Sequence, residues 1–338
     1  MTTHRTSLKD LAKELGVSIA TISRALRDSH EVSLDMRQRV KQLAKERNYR
    51  PNHFAQNLRL KAPKTLGVVL PNLVTHYYAD VLDSIEDYAI EKGYTVISAN
   101  SHEDVEREKA AIENFIRMQV DGIIACLTQE TETYDHFIEA NELGIPIVFF
   151  ARTCMPERFS SVVSAGDVAA QQATEHLIKT GSRRIAFIGG PNKLDMVRRR
   201  KHGYLEALRE NNIPIDRDIV RCEYINRDSA RKIVEEVLGR KERPDAILAF
   251  NDIVTYAAFE IVKSKGLRIP QDVAIVGFSN TETSKLVEPK LTVIQDQSHL
   301  QGERACELLI NQLEGDDKIH HEVIPMLLKI RESSAKKS

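Results

Sequence analysis

Apolar residues near the start of the chain recur with the period of short amphipathic helices. Ser7 can cap a first helix, Asp10 can complete a capping box three residues later, and Gly16 can end the helix. Between these residues, one helical face carries Leu8, Leu11, Ala12 and Leu15. This i, i+3, i+4, i+7 spacing predicts a helix with one buried side.

Two more short helices are predicted directly after the first. Ser18 can cap the second and Ser33 can begin the third. Their inward side chains are Ile22, Ala25 and Leu26 in the second helix, and Met36, Val40, Leu43 and Ala44 in the third. A short helix, a glycine-containing turn and another short helix are typical of a helix-turn-helix, whose second helix enters the DNA major groove. The alternative is a three-helix domain that binds another protein.

The outward side chains of the second helix are candidates for DNA contact: Ser18, Ile19, Ala20, Thr21, Ser23 and Arg24. The Arg24 guanidinium can donate two hydrogen bonds to O6 and N7 of a guanine. The hydroxyls of Thr21 and Ser23 suit phosphate oxygens. Ile19 and Ala20 can offer only apolar contacts, for example to a thymine methyl group.

Beyond residue 64, short apolar runs alternate with helical patterns in two series. The predicted strands are 66–70, 94–99, 121–127 and 145–150 in the first series, and 184–190, 219–224, 245–250 and 272–278 in the second. Apolar runs separated by helices predict parallel sheets covered on both faces. Each series therefore predicts one doubly wound subdomain, and a cleft between the two is the expected ligand site.

A short helix and a linker are predicted between the two regions. Pro51 can begin a helix over residues 52–59. A helix of about eight residues is marginal in isolation, so this segment should form only when another contact stabilises it. Residues 61–64 follow as a linker.

The distribution of charge along the chain indicates that the first region is the DNA-binding part. Residues 1–61 contain 13 Lys/Arg and 6 Asp/Glu, and the rest of the chain contains 35 and 43. A basic segment before an acidic body is typical of nucleic-acid contact. The chain has no apolar run of about 18 residues and no apolar signal core at its start, so we expect a cytoplasmic protein without membrane contact.

The sequence lacks familiar catalytic and metal-binding motifs. The stretch 189–191 does not match GxGxxG, and GxxxxGK[ST], HExxH and GxSxG are absent. The four cysteines lack zinc-site spacing: Cys126, Cys154, Cys222 and Cys306. We therefore expect no catalytic residues, no metal and no cofactor. Because doubly wound sheets also serve enzymes, a metabolic enzyme or a kinase-bound sensor without DNA is the alternative.

Several short elements occur in a specific order along the chain. In the N-terminal region they are K-D-L-A, G-V-S, T-I-S-R-A-L, V-S and Y-R-P-N. In the later region they include TLGVVLPN, TEHLIKTGSRRIAFIGGP, HGYLEAL, AFND, GLRIPQDVAIVGF and PKLTVIQ. With these elements the chain resembles the lactose-repressor (LacI/GalR) family of transcription regulators over nearly its whole length.

The resemblance implies an all-α helix-turn-helix headpiece and a hinge helix, followed by an α/β core like that of periplasmic binding proteins. In this family the chain crosses three times between two doubly wound parallel-sheet subdomains. The implied ranges are 1–50 for the headpiece, 51–63 for the hinge helix and linker, 64–163 and 295–322 for the N-terminal core subdomain, and 164–294 and 323–332 for the C-terminal one.

The resemblance also implies how the protein contacts DNA. The family reads base pairs with the residues at the positions of Ile19, Ala20 and Arg24. The implied contacts in and before the hinge are Tyr49, Asn52, Ala55 and Leu58. Leu58 matches a leucine that enters the central base step and kinks the duplex, where two hinge helices meet at the position of Ala55. The alternative is that Leu58 packs on the core.

Six positions are implied effector contacts: Tyr77, Tyr78, Arg152, Arg200, Asn251 and Ser279. Tyr77 or Tyr78 can stack on a ligand ring, and Arg200 matches the arginine that holds ligand hydroxyls or carboxylates. Arg152 and Asn251 match residues that follow strands and line the cleft. Each residue also has a structural alternative, such as a core tyrosine, a solvated arginine or a helix-capping asparagine.

Three positions depart from the family pattern where ligand specificity is usually set. Ser279 replaces an acid that takes two sugar hydroxyls, Ala165-Gly166 replaces Asp-Asn, and Asp296 replaces a frequent glutamine. These departures weaken the expectation of an ordinary sugar ligand.

Together, the sequence predicts a sequence-specific DNA-binding transcription regulator of the repressor type. It would act as a homodimer on a pseudo-palindromic operator, because each headpiece reads one half-site. A sugar or related metabolite in the cleft would set its operator affinity. The family also includes activators and members that bind a protein corepressor.

Overall fold

The computed structural model divides the chain into two compact units, one up to residue 63 and one from residue 64. It describes residues 7–26, 29–47, 64–73, 75–279 and 282–335. The predicted hinge helix and linker lie outside these residues, and so do the expected DNA contacts Tyr49, Asn52, Ala55 and Leu58.

Within its described residues, the first unit is a small three-helix domain. The helices are α1 (Leu8–Leu15), α2 (Ile19–Leu26) and α3 (Leu34–Glu46). Ser7 and Asp10 form the predicted capping box, and Gly16 ends α1 with a left-handed φ of 67°. The buried residues that join the helices are Leu11, Ala12, Ile22, Ala25, Val32, Val40 and Ala44. The helix-turn-helix expected from the apolar spacing is confirmed.

The second unit alternates strands and helices along the chain. In order, its elements are β1 (Thr65–Leu70), α4 (His76–Glu91), β2 (Thr95–Asn100), α5 (Val105–Met118), β3 (Gly122–Ala125), α6 (Asp135–Glu142), β4 (Ile147–Phe150), β5 (Ser160–Ser164), α7 (Gly166–Lys179), β6 (Ile185–Gly189), α8 (Asp195–Glu210), β7 (Val220–Cys222), α9 (Arg227–Leu238), β8 (Ala246–Ala249), α10 (Asp252–Ser264), β9 (Ala274–Phe278), α11 (Thr283–Leu286), β10 (Thr292–Gln295), α12 (Ser298–Leu313), β11 (His321–Ile324) and β12 (Leu327–Lys329). Two short 3-10 turns lie at Arg217–Ile219 and Glu332–Ser334.

The strands form two six-stranded sheets, as the two predicted series indicate. The strand orders are β11-β5-β4-β3-β1-β2 and β12-β10-β9-β8-β6-β7. Neighbouring strands run parallel except β10 and β12, which are antiparallel. The chain passes between the sheets after β5, after β10 and after β11. Because β11 continues to Ile324, the first sheet extends past residue 322.

Both sheets have buried central strands because helices cover their two faces. Every residue of β3, β4, β6, β8 and β9 is buried. Two glycines mark close approaches of the covering helices. A Cβ at Gly67 would lie 2.5 Å from the Phe115 ring, and one at Gly203 would lie 1.9 Å from the Asp167 carbonyl oxygen. The second glycine lets α8 pack directly on α7. Every helix among the described residues is too short or too polar to span a lipid bilayer.

Candidate functional site

The start of α2 presents the side chains that the sequence predicts as DNA contacts. Ser18, Ile19, Ala20 and Arg24 are exposed, and Ile19 leaves 42% of its surface open to solvent. The Ser18 hydroxyl oxygen accepts the Thr21 backbone N–H at 3.0 Å, and the hydroxyls of these two residues lie 2.9 Å apart. Ser18 therefore caps α2 as expected, and the exposed side chains beside it are available to a partner.

Arg24 lies on the exposed side of α2 with an acidic neighbour. Its Nε atom is 3.0 Å from Oε2 of Glu31, and each side chain is more than half exposed. The two terminal amino groups of the guanidinium are thus the donors left for an external acceptor.

The second unit holds a cavity of about 340 Å³ between its two sheets. Its walls come from the carboxyl ends of the strands in both sheets, where doubly wound folds bind their ligands. All six residues predicted as effector contacts line it: Tyr77, Tyr78, Arg152, Arg200, Asn251 and Ser279. The volume is in the range expected for a small-molecule site, about 300–1,000 Å³.

Arg200, on α8, is the central cation of this cavity and is only 4% exposed. Its guanidinium carbon lies 3.8 Å from the ring centre of Phe278 and 5.0 Å from that of Phe250. Nη1 donates to the Phe250 carbonyl oxygen at 2.6 Å, and Nη2 is 3.5 Å from Oδ2 of Asp296. Nε has no hydrogen-bond partner among the described residues. A buried donor without an acceptor is costly, so this arginine is held at its place in the cavity wall at some cost in stability.

The environment of Arg200 explains two departures from the family pattern. A Cβ at residue 166 would lie 3.0 Å from Cγ of Arg200, so Gly166 leaves room for the arginine stem. Asp296 accepts a hydrogen bond from the Ser164 hydroxyl and pairs with Arg200. Burial raises the pKa of the Asp296 carboxyl, while Arg200 and Ser164 oppose the rise. Burial also lowers the pKa of Arg200, against the effect of Asp296.

Ser279, the third departure, works together with an aspartate on a neighbouring element. Its hydroxyl donates to Oδ1 of Asp252, at the start of α10. Burial raises the pKa of Asp252, and the Ser279 hydrogen bond opposes the rise. The carboxylate that is missing at position 279 is therefore present at the same wall of the cavity, where it can accept ligand hydroxyls.

Asn251 also has a structural role at this wall. Its side-chain oxygen accepts the Val254 N–H at 3.0 Å and caps α10. The side-chain oxygen of Asn251 thus has the structural role of a helix cap. The side chain also lines the cavity.

Arg152 lines the cavity, but its terminal amino groups form hydrogen bonds within the protein. They donate to both carboxylate oxygens of Glu103, at 2.8 and 3.0 Å, and to the Leu127 carbonyl oxygen at 2.9 Å. Glu103 also accepts the Gln129 backbone N–H at 2.7 Å. Burial acts to raise the pKa of Glu103, but Arg152 and Gln129 outweigh it and lower the pKa. Arg152 therefore fixes the loop that follows β3.

The two tyrosines differ in their burial. Tyr78 is 6% exposed and packs edge-on against Phe150, with ring centres 6.4 Å apart. Tyr77 is half-buried, and its hydroxyl donates to Oε1 of Gln301 on α12. Burial raises the pKa of both phenols well above the usual value. Tyr78 is thus mainly a core residue, whereas Tyr77 is more accessible to a ligand.

Sequence reasoning missed several polar residues of the cavity as functional candidates. They are Glu103, Gln129, Ser164 and Asp252. Each lies at or just after the carboxyl end of a strand. That position is the signal by which the sequence could have identified them.

Comparison with known proteins identifies matches to both units. A family described as bacterial regulatory proteins of the lacI family matches residues 7–52, and one described as periplasmic binding proteins and the sugar binding domain of the LacI family matches residues 63–332. The ribose operon repressor of Halalkalibacterium halodurans is 31% identical over 331 residues, covering 97% of each chain.

Solved structures of similar proteins cover the whole length of the chain. The lac repressor dimer bound to operator and the anti-inducer ONPF is 26% identical, with a TM-score of 0.84 over 98% of this chain and 99% of that one. The complex of the transcriptional regulator CelR with cellobiose is 28% identical, with a TM-score of 0.74 over 97% and 100%. The likeness therefore includes both the headpiece and the core.

Proposed function

This chain belongs to the LacI family of bacterial regulatory proteins, and we propose that it represses transcription as a homodimer whose operator affinity follows an effector in the core cleft. Family members are DNA-binding transcription regulators, and the headpiece carries their helix-turn-helix. A dimer supplies two headpieces for the two half-sites of a pseudo-palindromic operator. The lac repressor, a structural relative, forms such a dimer on its operator.

We assign base reading to Ile19, Ala20 and Arg24, and phosphate contacts to Thr21 and Ser23, with Ser18 as a further DNA contact. The exposure of Ser18, Ile19, Ala20 and Arg24 supports this assignment, and Thr21 and Ser23 are half-buried beside them. The assignments to the hinge and its lead rest on the family resemblance alone: Tyr49, Asn52, Ala55 and Leu58.

Arg200 is the observation that carries the sensing half of the proposal. It is a buried guanidinium that contacts two aromatic rings and lines a ligand-sized cavity. Asp252 and Asp296 supply acceptors near it, so a ligand with several hydroxyl groups can bond both to the cation and to the acids. A sugar or related metabolite fits this chemistry, as cellobiose does in its complex with CelR.

The six cleft residues then have different roles in the proposal. Arg200, Ser279 and Tyr77 contact the effector or hold its contacts, with the Asn251 side chain at the same wall. Arg152 and Tyr78 shape the wall, because Glu103 and Phe150 occupy them. Binding that favours one angle between the two subdomains changes operator affinity through the chain that leads to the headpiece.

In this proposal the protein has no catalytic step and acts in the cytoplasm, because the family it belongs to consists of bacterial regulatory proteins. The polar groups of the cleft hold a ligand through hydrogen bonds, and ligand release completes the regulatory cycle.

The test begins with operator selection from random DNA by the full-length protein. Operator affinity is then measured with a panel of sugars, sugar acids, nucleobases and phosphorylated metabolites. We expect a palindromic motif and at least one sugar-type compound that shifts the affinity, upward for a corepressor or downward for an inducer. Absence of a palindromic motif would remove the DNA half of the proposal, and a response only to anionic phosphorylated compounds would remove the sugar half.

A further inference from the structure

The pair formed by Arg24 and Glu31 occupies the surface on which the headpiece would meet DNA. Nε of Arg24 lies 3.0 Å from Oε2 of Glu31. Such exposed pairs contribute only about 0–1 kcal/mol to stability. Folding stability therefore gives little reason for this contact.

Glu31 is held at this place by the backbone of the segment that follows α2. The Ser29 N–H donates to the Arg24 carbonyl oxygen at 3.1 Å. The next residue after Glu31, Val32, is 7% exposed and belongs to the headpiece core. Ser33 then caps α3 through the Met36 N–H. Val32 in the headpiece core and Ser33 at the cap of α3 follow Glu31, and Ser29 bonds to α2 before it. These contacts hold the Glu31 backbone close to Arg24.

The geometry of the pair decides which face of the guanidinium remains available. Bidentate reading of guanine needs two N–H donors in one plane, directed at O6 and N7. A carboxylate at Nε leaves the two terminal amino groups, Nη1 and Nη2, as that pair of donors. The ion pair also holds the guanidinium on one side of Glu31, which restricts the flexible stem of Arg24.

We propose that Glu31 is the positioning residue for Arg24 and thereby sets discrimination at one base pair of each half-site. The carboxylate orients the terminal amino groups toward guanine. Its negative charge also repels the phosphates of any DNA and so weakens binding to operator and unrelated DNA alike. The orientation of the guanidinium is what raises the ratio of specific to non-specific affinity. The inference rests on the proposed base-reading role of Arg24.

The experiment uses the full-length protein and the operator obtained by selection. Dissociation constants are measured by fluorescence anisotropy for that operator, for operators with one symmetric base-pair change at a time, and for unrelated DNA. The variants are Glu31→Ala, Arg24→Ala and the control Asp35→Asn. Asp35 is an exposed acid of the same headpiece whose side chain lies 4.0 Å from Arg39.

For Glu31→Ala we expect discrimination at one base pair to fall about tenfold, within the range that one bidentate contact supplies. Affinity for unrelated DNA should rise about twofold, because one negative charge near the phosphates is gone. Asp35→Asn should raise affinity for unrelated DNA by a similar factor while keeping discrimination at every position. Headpiece melting should be the same in both variants, which a merely structural role of Glu31 would not permit.

The Arg24→Ala arm separates the two ways in which the inference can fail. If this variant keeps full discrimination at every base pair, Arg24 does not read DNA and the proposed function of this residue is overturned. If Arg24→Ala abolishes discrimination at one position but Glu31→Ala retains it, only the positioning role is overturned. Equal changes for all sequences in Glu31→Ala would also overturn it.

Discussion

The headpiece and the core cleft place their polar groups by opposite means. In the headpiece, the caps and the pair at the candidate DNA surface join neighbours in the sequence: Ser7 with Asp10, Ser18 with Thr21, and Arg24 with Glu31. The pair of Arg47 with Glu14, 33 residues apart, is the exception among them. In the cleft, Arg200 reaches a carbonyl 50 residues away, Ser164 an aspartate 132 residues away and Tyr77 a glutamine 224 residues away. A local surface can be identified from spacing alone, whereas the cleft exists only after two sheets have assembled.

The two regions also differ in solvent exposure: the headpiece surface, with its short-range contacts, is exposed, and the cleft, with its long-range contacts, is largely buried. Ser18, Ile19, Ala20 and Arg24 are exposed, so substitutions there should change binding and leave stability almost unchanged. The charged and polar groups of the cleft are mostly buried and paired with one another, so substitutions there can change ligand affinity and core stability together. Variants that change binding without changing stability, or the reverse, test this difference between the two regions.

The largest expected effect is the loss of effector response in Arg200→Ala. Removing a buried, hydrogen-bonded charge from a site costs about 4 kcal/mol of ligand affinity, roughly a thousandfold. Operator binding without effector should stay near the wild-type value. Isothermal titration and operator anisotropy measure the two quantities.

Arg209→Ala is the matched control for Arg200→Ala. Arg209 lies on the same helix, more than half exposed, and pairs with Glu206. It should keep both affinities. A normal effector response in Arg200→Ala would show that this arginine does not bind the effector. It would also show that a substitution in the cleft can be as well tolerated as one on the headpiece surface.

The three headpiece helices and their caps could be predicted from the sequence, because short-range periodicity and capping residues determine them. Most buried strands were also identified, since continuous apolar runs mark them. The strands β5, β10, β11 and β12 were not in the predicted series. β5 and β11 begin with polar residues, Ser160 and His321, and β12 is half exposed.

The partners inside the cleft could not be predicted, because pairing depends on tertiary distance. The sequence named Arg152 as a ligand contact, yet nothing local indicates that Glu103 binds both its terminal amino groups. The same holds for Asp252, whose partner Ser279 was noted only as the loss of an acid. The sequence showed that position 279 lacks the family's acid, but it did not show that Asp252 supplies a carboxylate at the same wall.

The next largest effect tests whether the core depends on close helix packing. In Gly203→Ala the new Cβ would lie 1.9 Å from the Asp167 carbonyl oxygen, a backbone atom that cannot move aside easily. We expect the core to lose about 3 kcal/mol of unfolding free energy. Urea denaturation followed by circular dichroism measures it, with His202→Ala as the control because that side chain is 69% exposed. Equal stability of the two variants would contradict the close approach.

A smaller effect is expected from removing the first cap of the headpiece. In Ser7→Ala the Asp10 N–H loses its hydroxyl acceptor and the capping box is broken. The headpiece should lose about 1 kcal/mol. Headpiece melting, followed by near-ultraviolet or NMR signals of α1, measures the change. Lys13→Ala, an exposed change on the same helix, should leave melting unaltered. If the core transition moved instead, the two units would not be independent in stability.

The smallest effect is a difference in pH dependence between the wild type and Asp296→Asn. Burial raises the pKa of Asp296 above its ordinary value of 3.8, so the folded protein keeps this proton where the unfolded chain has lost it. The folded state then binds more protons, and the stability from this group falls as pH rises through that window. The unfolding free energy of the wild type minus that of the variant should therefore decrease as the pH rises above about 4. A difference that rises with pH would show that Arg200 stabilises the Asp296 charge more strongly than burial opposes it, and the cleft would then resemble the exposed ion pairs of the headpiece.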